Sequence, residues 1–138
     1  MVKVDSYDVP EGLYYSEEYV WARVENGKVR IGITDYAQKQ LREIVFVELP
    51  SVGDTITQTE PFGTVESVKA VSDLVAPVSG KIEQVNEEPG DKPELLNESS
   101  YDKGWLIVVS PTNLDADLKA LMDFNKAVEW HKNKAKEG

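Results

Sequence analysis

The chain has 138 residues, of which 15 are basic and 25 acidic, so its formal net charge is −10. It contains no cysteine and one histidine, which excludes disulfide scaffolds, thiolate zinc sites and cysteine nucleophiles, and leaves only His131 for a Ser-His-Asp triad. A hydrophobic content of 41% at this length predicts a single domain over residues 1–138.

The same charge and hydropathy patterns limit the partners. Strong negative charge disfavours nucleic acid, whose phosphates it would repel, and favours protein partners with basic faces. No apolar run approaches the roughly 18 residues of a membrane span. Residues 1–10 also lack the charged and apolar regions of an export signal. We therefore expect a cytoplasmic monomer that contacts neither nucleic acid nor membrane.

The first strongly patterned region predicts a β-hairpin. Apolar runs at residues 21–24 and 29–33 flank Asn26-Gly27, a pair that tolerates the positive φ angles of a two-residue turn. Residues 34–41 then begin with Thr34 as a candidate N-cap, followed by an acidic residue. This pattern predicts a short helix that closes one end of the sheet.

The middle of the chain predicts many short strands. Unbroken apolar runs at residues 44–47 and 105–109 are typical of strands covered on both faces. Glycine and proline separate further predicted strands at residues 55–57, 62–67, 73–76 and 81–85. Two Gly-Asp turns, in residues 51–55 and 88–92, suggest a weak internal two-fold.

The hydrophobic period changes after residue 113. One face of a predicted helix over residues 114–134 carries Leu114, Leu118, Leu121 and Met122. Aspartates lie in its first turns and lysines near its end, as the helix dipole favours. The sequence thus predicts a mainly β fold with its core in residues 13–110, followed by a helix that packs on the sheet.

Residues 66–73 lie between two predicted strands but contain no Gly, Pro or Asn to make a tight turn. One interpretation is a continuous strand or an irregular turn in which Lys69 is an ordinary solvated charge. The other is a hairpin tip that presents one lysine, framed by Val68 and Ala70, for an outside enzyme to modify. The residues alone leave both interpretations open.

Five ordered blocks, spread over most of the chain, resemble the H protein of the glycine cleavage system. The blocks are GITDYAQ at residues 32–38, VFVELP at 45–50, ESVKAVSD at 66–73, APVSG at 76–80 and GWLI at 104–107. The resemblance implies a flattened β-barrel or sandwich of the lipoyl-domain hammerhead type. A short helix is expected after the first hairpin, and another at the C-terminus.

The resemblance also implies a cofactor and its site. Lipoic acid is expected as an amide on Lys69. Related biotin carriers have methionine on both sides of the lysine, whereas Val68 and Ala70 flank Lys69 here. Glu66 and Gly80 stand where the family has residues that matter to the lipoylating enzyme. Asp73 matches a family acid near the lipoyl arm. No metal site and no catalytic residue are implied.

Four enzymes are the partners that the resemblance implies. A pyridoxal-phosphate glycine decarboxylase would load an aminomethyl group, and a tetrahydrofolate-dependent aminomethyltransferase would remove it. A dihydrolipoamide dehydrogenase would reoxidise the arm. A lipoate ligase or a lipoyl or octanoyl transferase would attach it. The chain itself would be a carrier and not an enzyme.

Some residues depart from the family pattern. The family usually has His-Glu before Trp21, and that glutamate helps to hold the charged amine of the loaded arm. Here the two positions are Tyr19 and Val20, and Val20 cannot pair with an ammonium. Glu17 and Glu18 are candidates to replace the missing acid. The other departures are Tyr36, which replaces a family histidine, and Arg42-Glu43, which replaces Gly-Asp.

These departures keep three alternatives open. The chain could be an H-like lipoate carrier for another pathway, such as sulfur oxidation with a heterodisulfide-reductase-like complex or lipoyl relay to other proteins. It could be an unmodified interaction domain that kept the fold. An enzyme is the least favoured alternative, because no acid–base or metal constellation stands out apart from Lys69.

Overall fold

The structure, a computed structural model, describes residues 2–4 and 6–137. The strands are β1 Val2–Val4, β2 Tyr7–Val9, β3 Tyr14–Tyr15, β4 Val20–Glu25, β5 Lys28–Ile33, β6 Ile44–Glu48, β7 Thr55–Ile56, β8 Pro61–Ser67, β9 Val71–Val75, β10 Gly80–Val85 and β11 Ile107–Pro111. The helices are α1 Asp35–Leu41, α2 Glu88–Asp91, α3 Leu95–Glu98, α4 Leu114–Lys119 and α5 Phe124–Glu137.

The strands form three antiparallel sheets. A six-stranded sheet has the order β3-β4-β5-β11-β10-β7, a three-stranded sheet has the order β6-β8-β9, and β1 pairs with β2. The arrangement of the sheets is sandwich-like rather than a closed barrel. The predicted mainly β class is confirmed.

The main core lies between the two larger sheets. Alternate residues of each strand point inward and exclude water, and each fully buried Val, Ile or Leu contributes roughly 1.5–3 kcal/mol. The six-stranded sheet supplies residues such as Ala22, Ile31 and Val109, and the three-stranded sheet supplies Val47, Val65 and Leu74. This packing fixes the position of the β8–β9 hairpin on the molecule.

A second core covers the other face of the six-stranded sheet. Trp21 is fully buried there, beneath α5 and the β1–β2 hairpin. Buried Asp35 at the start of α1 accepts a hydrogen bond from the backbone N–H of Asp8 at 2.8 Å, which ties β2 to the helix. Burial opposes ionisation of Asp35, but hydrogen bonds from Asp8, Gln38 and Lys39 outweigh it and hold the pKa of Asp35 below 3.8.

The first hairpin and the short helix are confirmed. Asn26 and Gly27 have φ angles of 50° and 78°, as a two-residue turn between β4 and β5 requires. Thr34 caps α1, and its side chain accepts a hydrogen bond from the backbone N–H of Ala37. The short helix therefore starts where the sequence predicts it.

The prediction of one continuous helix over residues 114–134 is wrong. The chain forms α4 and α5, and Met122 between them is extended. Its backbone exchanges two hydrogen bonds with Tyr15, at 2.7 and 2.8 Å. This bridge to β3 interrupts the helix, although Leu114 and Leu121 still pack on the main core as expected.

Two other expectations need correction. The strand at residues 44–47 is not covered on both faces, because a bulge between Ile44 and Phe46 leaves Val45 and Phe46 exposed. The two Gly-Asp segments are also not equivalent. Gly53 has a φ of 95° in a turn, whereas Gly90 lies within the short helix α2. By contrast, Ile107, Val108 and Val109 of β11 are buried, as predicted.

Within the described residues, no helix combines the length and apolar character that a membrane crossing requires. The cytoplasmic location and the monomeric state expected from the sequence stay predictions.

His131 on α5 predicts a pH-dependent stability. It is fully buried, its Nδ1 donates to the Ala127 carbonyl at 2.7 Å, and Nε2 has no hydrogen-bond partner among the described residues. Burial lowers the pKa of His131 below its ordinary 6.5, although the bond to Ala127 opposes this shift. Below pH 6.5 the unfolded chain therefore binds a proton that the folded chain resists.

We expect the free energy of unfolding to decrease between pH 7.5 and 5.5, with a slope of at most about 1.4 kcal/mol per pH unit. Urea unfolding at several pH values measures it. His131 is the only histidine, so His131→Phe should remove the slope within this window. A slope that persists in the variant would contradict this account.

Candidate functional site

The β8–β9 hairpin closes without Gly, Pro or Asn because Ser67 supplies the turn's hydrogen bonds. The Ser67 N–H donates to the Ala70 carbonyl at 2.8 Å. The Ser67 Oγ accepts from the N–H groups of Lys69 and Ala70, both at 3.1 Å. The Ser67 side chain thus makes hydrogen bonds that a backbone carbonyl makes in other turns. Lys69 lies at the tip of the hairpin, as the second interpretation of this segment predicts.

The tip is also fixed to the segment before β6. The N–H of Val68 donates to the Glu43 carbonyl at 3.0 Å. Arg42, next to Glu43, ends α1 with a φ of 68° and a ψ of −141°, a region that favours glycine. This is a position where the family pattern has glycine, so the chain holds the same backbone turn with a less suitable residue.

The Lys69 side chain is exposed. Its Nζ lies 3.5 Å from the carbonyl oxygen of Gln40, near the C-terminus of α1, where helix carbonyls lack partners within the helix. Among the described residues, no carboxylate lies within ion-pair distance of this ammonium. The amine is therefore accessible to an acylating reagent.

A cavity of about 220 Å³ lies next to Gln40, although Lys69 itself does not line it. Its walls come from the β3–β4 connection, α1 and the β8–β9 hairpin, and Gln40, whose carbonyl meets the Lys69 ammonium, is one of the lining residues. The full lining is residues 18–20, 33, 36–37, 40–41, 65 and 72–74. A group attached to Lys69 therefore has a mainly apolar recess beside its point of attachment.

Aromatic rings stiffen one wall of the cavity. Tyr19 stacks on Tyr36 with ring centroids 5.4 Å apart, and Trp130 of α5 packs against both, at 5.4 and 6.2 Å. Tyr19 has a φ of 68°, an unusual backbone conformation for a large residue. Helix α5 thus supports the cavity from behind, although it does not line it.

Two carboxylates lie among the lining residues. Asp73 on β9 and Glu18 before β4 both line the cavity, and both are exposed. Glu17 does not line it, so the structure distinguishes the two sequence candidates for a replacement acid. Val20, at the position where the family has glutamate, is buried and lines the cavity.

Glu66 and Gly80 have different surroundings. Glu66 is exposed on β8, between Phe46 of β6 and Val71 of β9 in the sheet register. Gly80 is buried at the start of β10, where an added Cβ would lie 2.3 Å from the Ser110 carbonyl oxygen. Close strand packing therefore explains the glycine at this position by itself.

The described residues contain no group of three or more His, Cys, Asp or Glu side chains that could hold a metal ion. The site consists of the exposed Lys69 amine, the hairpin tip closed by Ser67, and a mainly apolar cavity with the carboxylates of Glu18 and Asp73 in its wall.

Comparisons with known proteins decide the family. The model of the glycine cleavage H-protein family matches residues 13–134. The chain belongs to this family. Its members are carriers with covalently attached lipoate, not catalysts.

Individual relatives agree with this assignment. A glycine cleavage system H protein of Geobacillus sp. (strain WCH70) is 62% identical over 107 residues, which cover 78% of this chain and 84% of the relative. A probable glycine cleavage system H protein of Pyrococcus abyssi is 51% identical and covers 96% of this chain and 99% of the relative. The crystal structure of an H protein from Mycobacterium marinum has a TM-score of 0.81 and 36% identity, and the match covers 88% of this chain and 98% of that one.

Sequence reasoning missed parts of this H-protein site. The turn-closing role of Ser67 has a local signal, since serine side chains often accept hydrogen bonds from the next two or three N–H groups. The Gln40 carbonyl and the ring of Trp130 have no such signal, because only tertiary packing brings them to the site. The exposure of Phe46 was concealed by the apolar run in which it lies.

Substitution of Gly80 tests whether strand packing requires a glycine at this position. Gly80→Ala places a methyl group against the Ser110 carbonyl, so we expect a loss of about 2–3 kcal/mol in the free energy of unfolding, as for other overpacked sites. Gly90→Ala is the matched control, because a Cβ there meets nothing within 4 Å. Urea denaturation measures both. Equal stability of Gly80→Ala and the unaltered protein would show that the glycine is not required by packing.

Proposed function

We propose that this chain is the lipoyl carrier of a glycine cleavage system and that lipoate is attached to Lys69. The single observation that supports this most strongly is the exposed Lys69 amine at a hydrogen-bonded hairpin tip, with Nζ beside the Gln40 carbonyl at the edge of a cavity. Family membership supplies the cofactor, and the geometry supports the attachment point.

Acylation requires the Lys69 amine in its neutral form. The ammonium first releases a proton, and the nitrogen then attacks the carbonyl carbon of an activated acyl donor. An amide forms, the donor's leaving group departs with the bonding electron pair, and a second proton leaves the nitrogen. The product has no charge but keeps one N–H, which can still donate to a carbonyl such as that of Gln40.

The residues present fit a lipoyl group. The cavity beside Lys69 is lined mainly by apolar and aromatic groups, including Val20, Ile33 and Tyr36. When attached, lipoate supplies a dithiolane that accepts an aminomethyl group and two electrons. The protein supplies the tether at Lys69, the tip held by Ser67, and a recess that limits the access of water.

The carboxylates of Asp73 and Glu18 have a role in this proposal. Both line the cavity, where they favour a protonated primary amine over a neutral group of the same size. In this way Glu18 offsets the loss of the family glutamate at Val20. The contact of Asp73 with the arm stays a prediction.

The partners follow from the family. We propose a pyridoxal-phosphate glycine decarboxylase, a tetrahydrofolate-dependent aminomethyltransferase and a dihydrolipoamide dehydrogenase as the successive partners, and a lipoate ligase or a lipoyl or octanoyl transferase as the enzyme that modifies Lys69. Tethering raises the local concentration of the reactive group at each docked enzyme. The chain contributes geometry to this cycle, and its partners contribute the catalytic residues.

Glycine–bicarbonate exchange tests the function. The lipoylated protein should support exchange of labelled bicarbonate into glycine by the pyridoxal-phosphate decarboxylase. Lys69→Arg should abolish it, because a guanidinium does not accept the acyl group. Lys81→Arg is the matched control, since Lys81 is an exposed lysine on β10 outside the cavity. Protein that is fully lipoylated by intact mass but supports no exchange would contradict the glycine-cleavage role.

A further inference from the structure

The β1–β2 hairpin precedes the part of the chain that the family model matches, which begins at residue 13. Packing accounts for two side chains on its inward face, because Val4 and Val9 are buried in the second core together with Ala127 of α5. Tyr7 lies on the same face, since it is opposite Val4 in the register and two residues before Val9. Tyr7 is only half-buried, and its ring contacts α1.

Tyr7 contacts three side chains of α1. Its ring meets the ring of Tyr36 edge-on, with centroids 4.7 Å apart and planes at 66°. Its hydroxyl accepts a hydrogen bond from Nε2 of Gln40 at 3.3 Å, and Nζ of Lys39 lies 5.5 Å from the centroid of its ring. Tyr36 and Gln40 both line the cavity, whereas Tyr7 does not. Tyr7 therefore supports the cavity wall from behind.

Hydrogen bonds that do not involve the Tyr7 side chain hold the hairpin on α1. The Asp8 N–H donates to Oδ2 of Asp35 at 2.8 Å. The hydroxyl of Tyr101 donates to the Asp8 carbonyl at 2.8 Å and accepts from the Asp35 N–H at 3.0 Å. These bonds fix β2 relative to α1, so a substitution of the Tyr7 side chain removes its ring contacts and leaves the hairpin attached.

Three elements hold the ring of Tyr36. The rings of Tyr7 on β2, Tyr19 in the β3–β4 connection and Trp130 on α5 lie 4.7, 5.4 and 6.2 Å from it, centroid to centroid. Protein interiors are close-packed, so the loss of one neighbour leaves space into which Tyr36 can move. Tyr7 is the nearest of the three rings, and it lies outside the part of the chain that the family model matches.

We propose that the β1–β2 hairpin sets the shape of the lipoyl recess and that Tyr7 is a positioning residue for the loaded arm, acting through Tyr36. The proposal rests on the proposed attachment of lipoate to Lys69. It goes beyond that function because it assigns a role to a segment that precedes the family match. The contact with Gln40 orients the Tyr7 ring, and the ring holds Tyr36 in the wall of the recess.

The consequence for the carrier is slower hydrolysis of the loaded group. One water converts S–CH2–NH3+ into a thiol, formaldehyde and NH4+. The water oxygen bonds to the carbon, the C–S and C–N electron pairs stay with sulfur and nitrogen, and the two protons of water go to those atoms. A recess of fixed shape limits the access of water to this carbon.

Hydrogen–deuterium exchange of the unmodified chain tests the positioning role before any arm is attached. For Tyr7→Ala we expect the amides of residues 38–41, at the end of α1, to exchange about fivefold faster, because one aromatic contact is lost. Tyr7→Phe keeps the ring and should change the rates by less than about twofold. Lys3→Ala is the matched control, because Lys3 forms an ion pair with Asp8 on the outward face of the same hairpin. Unchanged exchange in Tyr7→Ala, or equal acceleration in Lys3→Ala, would overturn the proposal.

The lifetime of the loaded group tests the consequence. The lipoylated carrier is loaded from glycine by the pyridoxal-phosphate decarboxylase and separated from it, and loss of the group is followed by intact mass. We expect loss to be about fivefold faster in Tyr7→Ala and nearly unchanged in Tyr7→Phe. Tyr7→Ala/Tyr36→Ala should lose the group no faster than Tyr36→Ala alone, because Tyr7 acts through Tyr36. Thermal unfolding of each variant verifies that it is folded.

Two results would contradict this role of Tyr7. One is an unchanged lifetime in folded Tyr7→Ala. The other is a double variant in which the effects of the two substitutions multiply, because Tyr7 would then act independently of Tyr36. A lipoylated carrier that the decarboxylase does not load would instead refute the proposed function, and the exchange rates of the unmodified chain would still test the position of Tyr7.

Discussion

The set of hydrogen bonds around the Ser67 hydroxyl is the constraint on which the site depends. The hydroxyl oxygen accepts hydrogen bonds from the N–H groups of Lys69 and Ala70. In this way it closes a turn that contains no glycine or proline. The backbone of Lys69 is thereby held while its side chain stays exposed to solvent. A carrier needs this combination, since a modifying enzyme requires a fixed target and the attached group must afterwards reach several enzymes.

The rest of the fold places this turn beside a recess. The main core packs β8 against the six-stranded sheet, and the Val68–Glu43 hydrogen bond fixes the tip relative to α1. Helix α1 then supplies the Gln40 carbonyl and part of the cavity wall. On the opposite side, α5 supports the ring of Tyr36 through Trp130. These contacts hold the hairpin tip with Lys69 in a fixed position relative to α1 and the cavity.

The parts of the fold that could be predicted are those with local causes. Asn26-Gly27 makes a two-residue turn, and Thr34 caps a helix, through interactions with near neighbours in the sequence. The break at Met122 depends on its bridge to Tyr15, more than a hundred residues earlier, so helical periodicity could not reveal it. The exposure of Phe46 follows from a bulge and an uncovered sheet face. At the site, Lys69 was predictable, but the Gln40 carbonyl was not.

Peptide mapping of the lipoylated protein tests the central claim most directly. The full chain is incubated with lipoate, ATP and a lipoate ligase, then digested, and the mass of each lysine-containing peptide is measured. The account predicts one lipoyl group per chain, on Lys69, with every other lysine unmodified. A lipoyl group on a different lysine, or an unmodified Lys69 in a chain that has accepted lipoate, would contradict it.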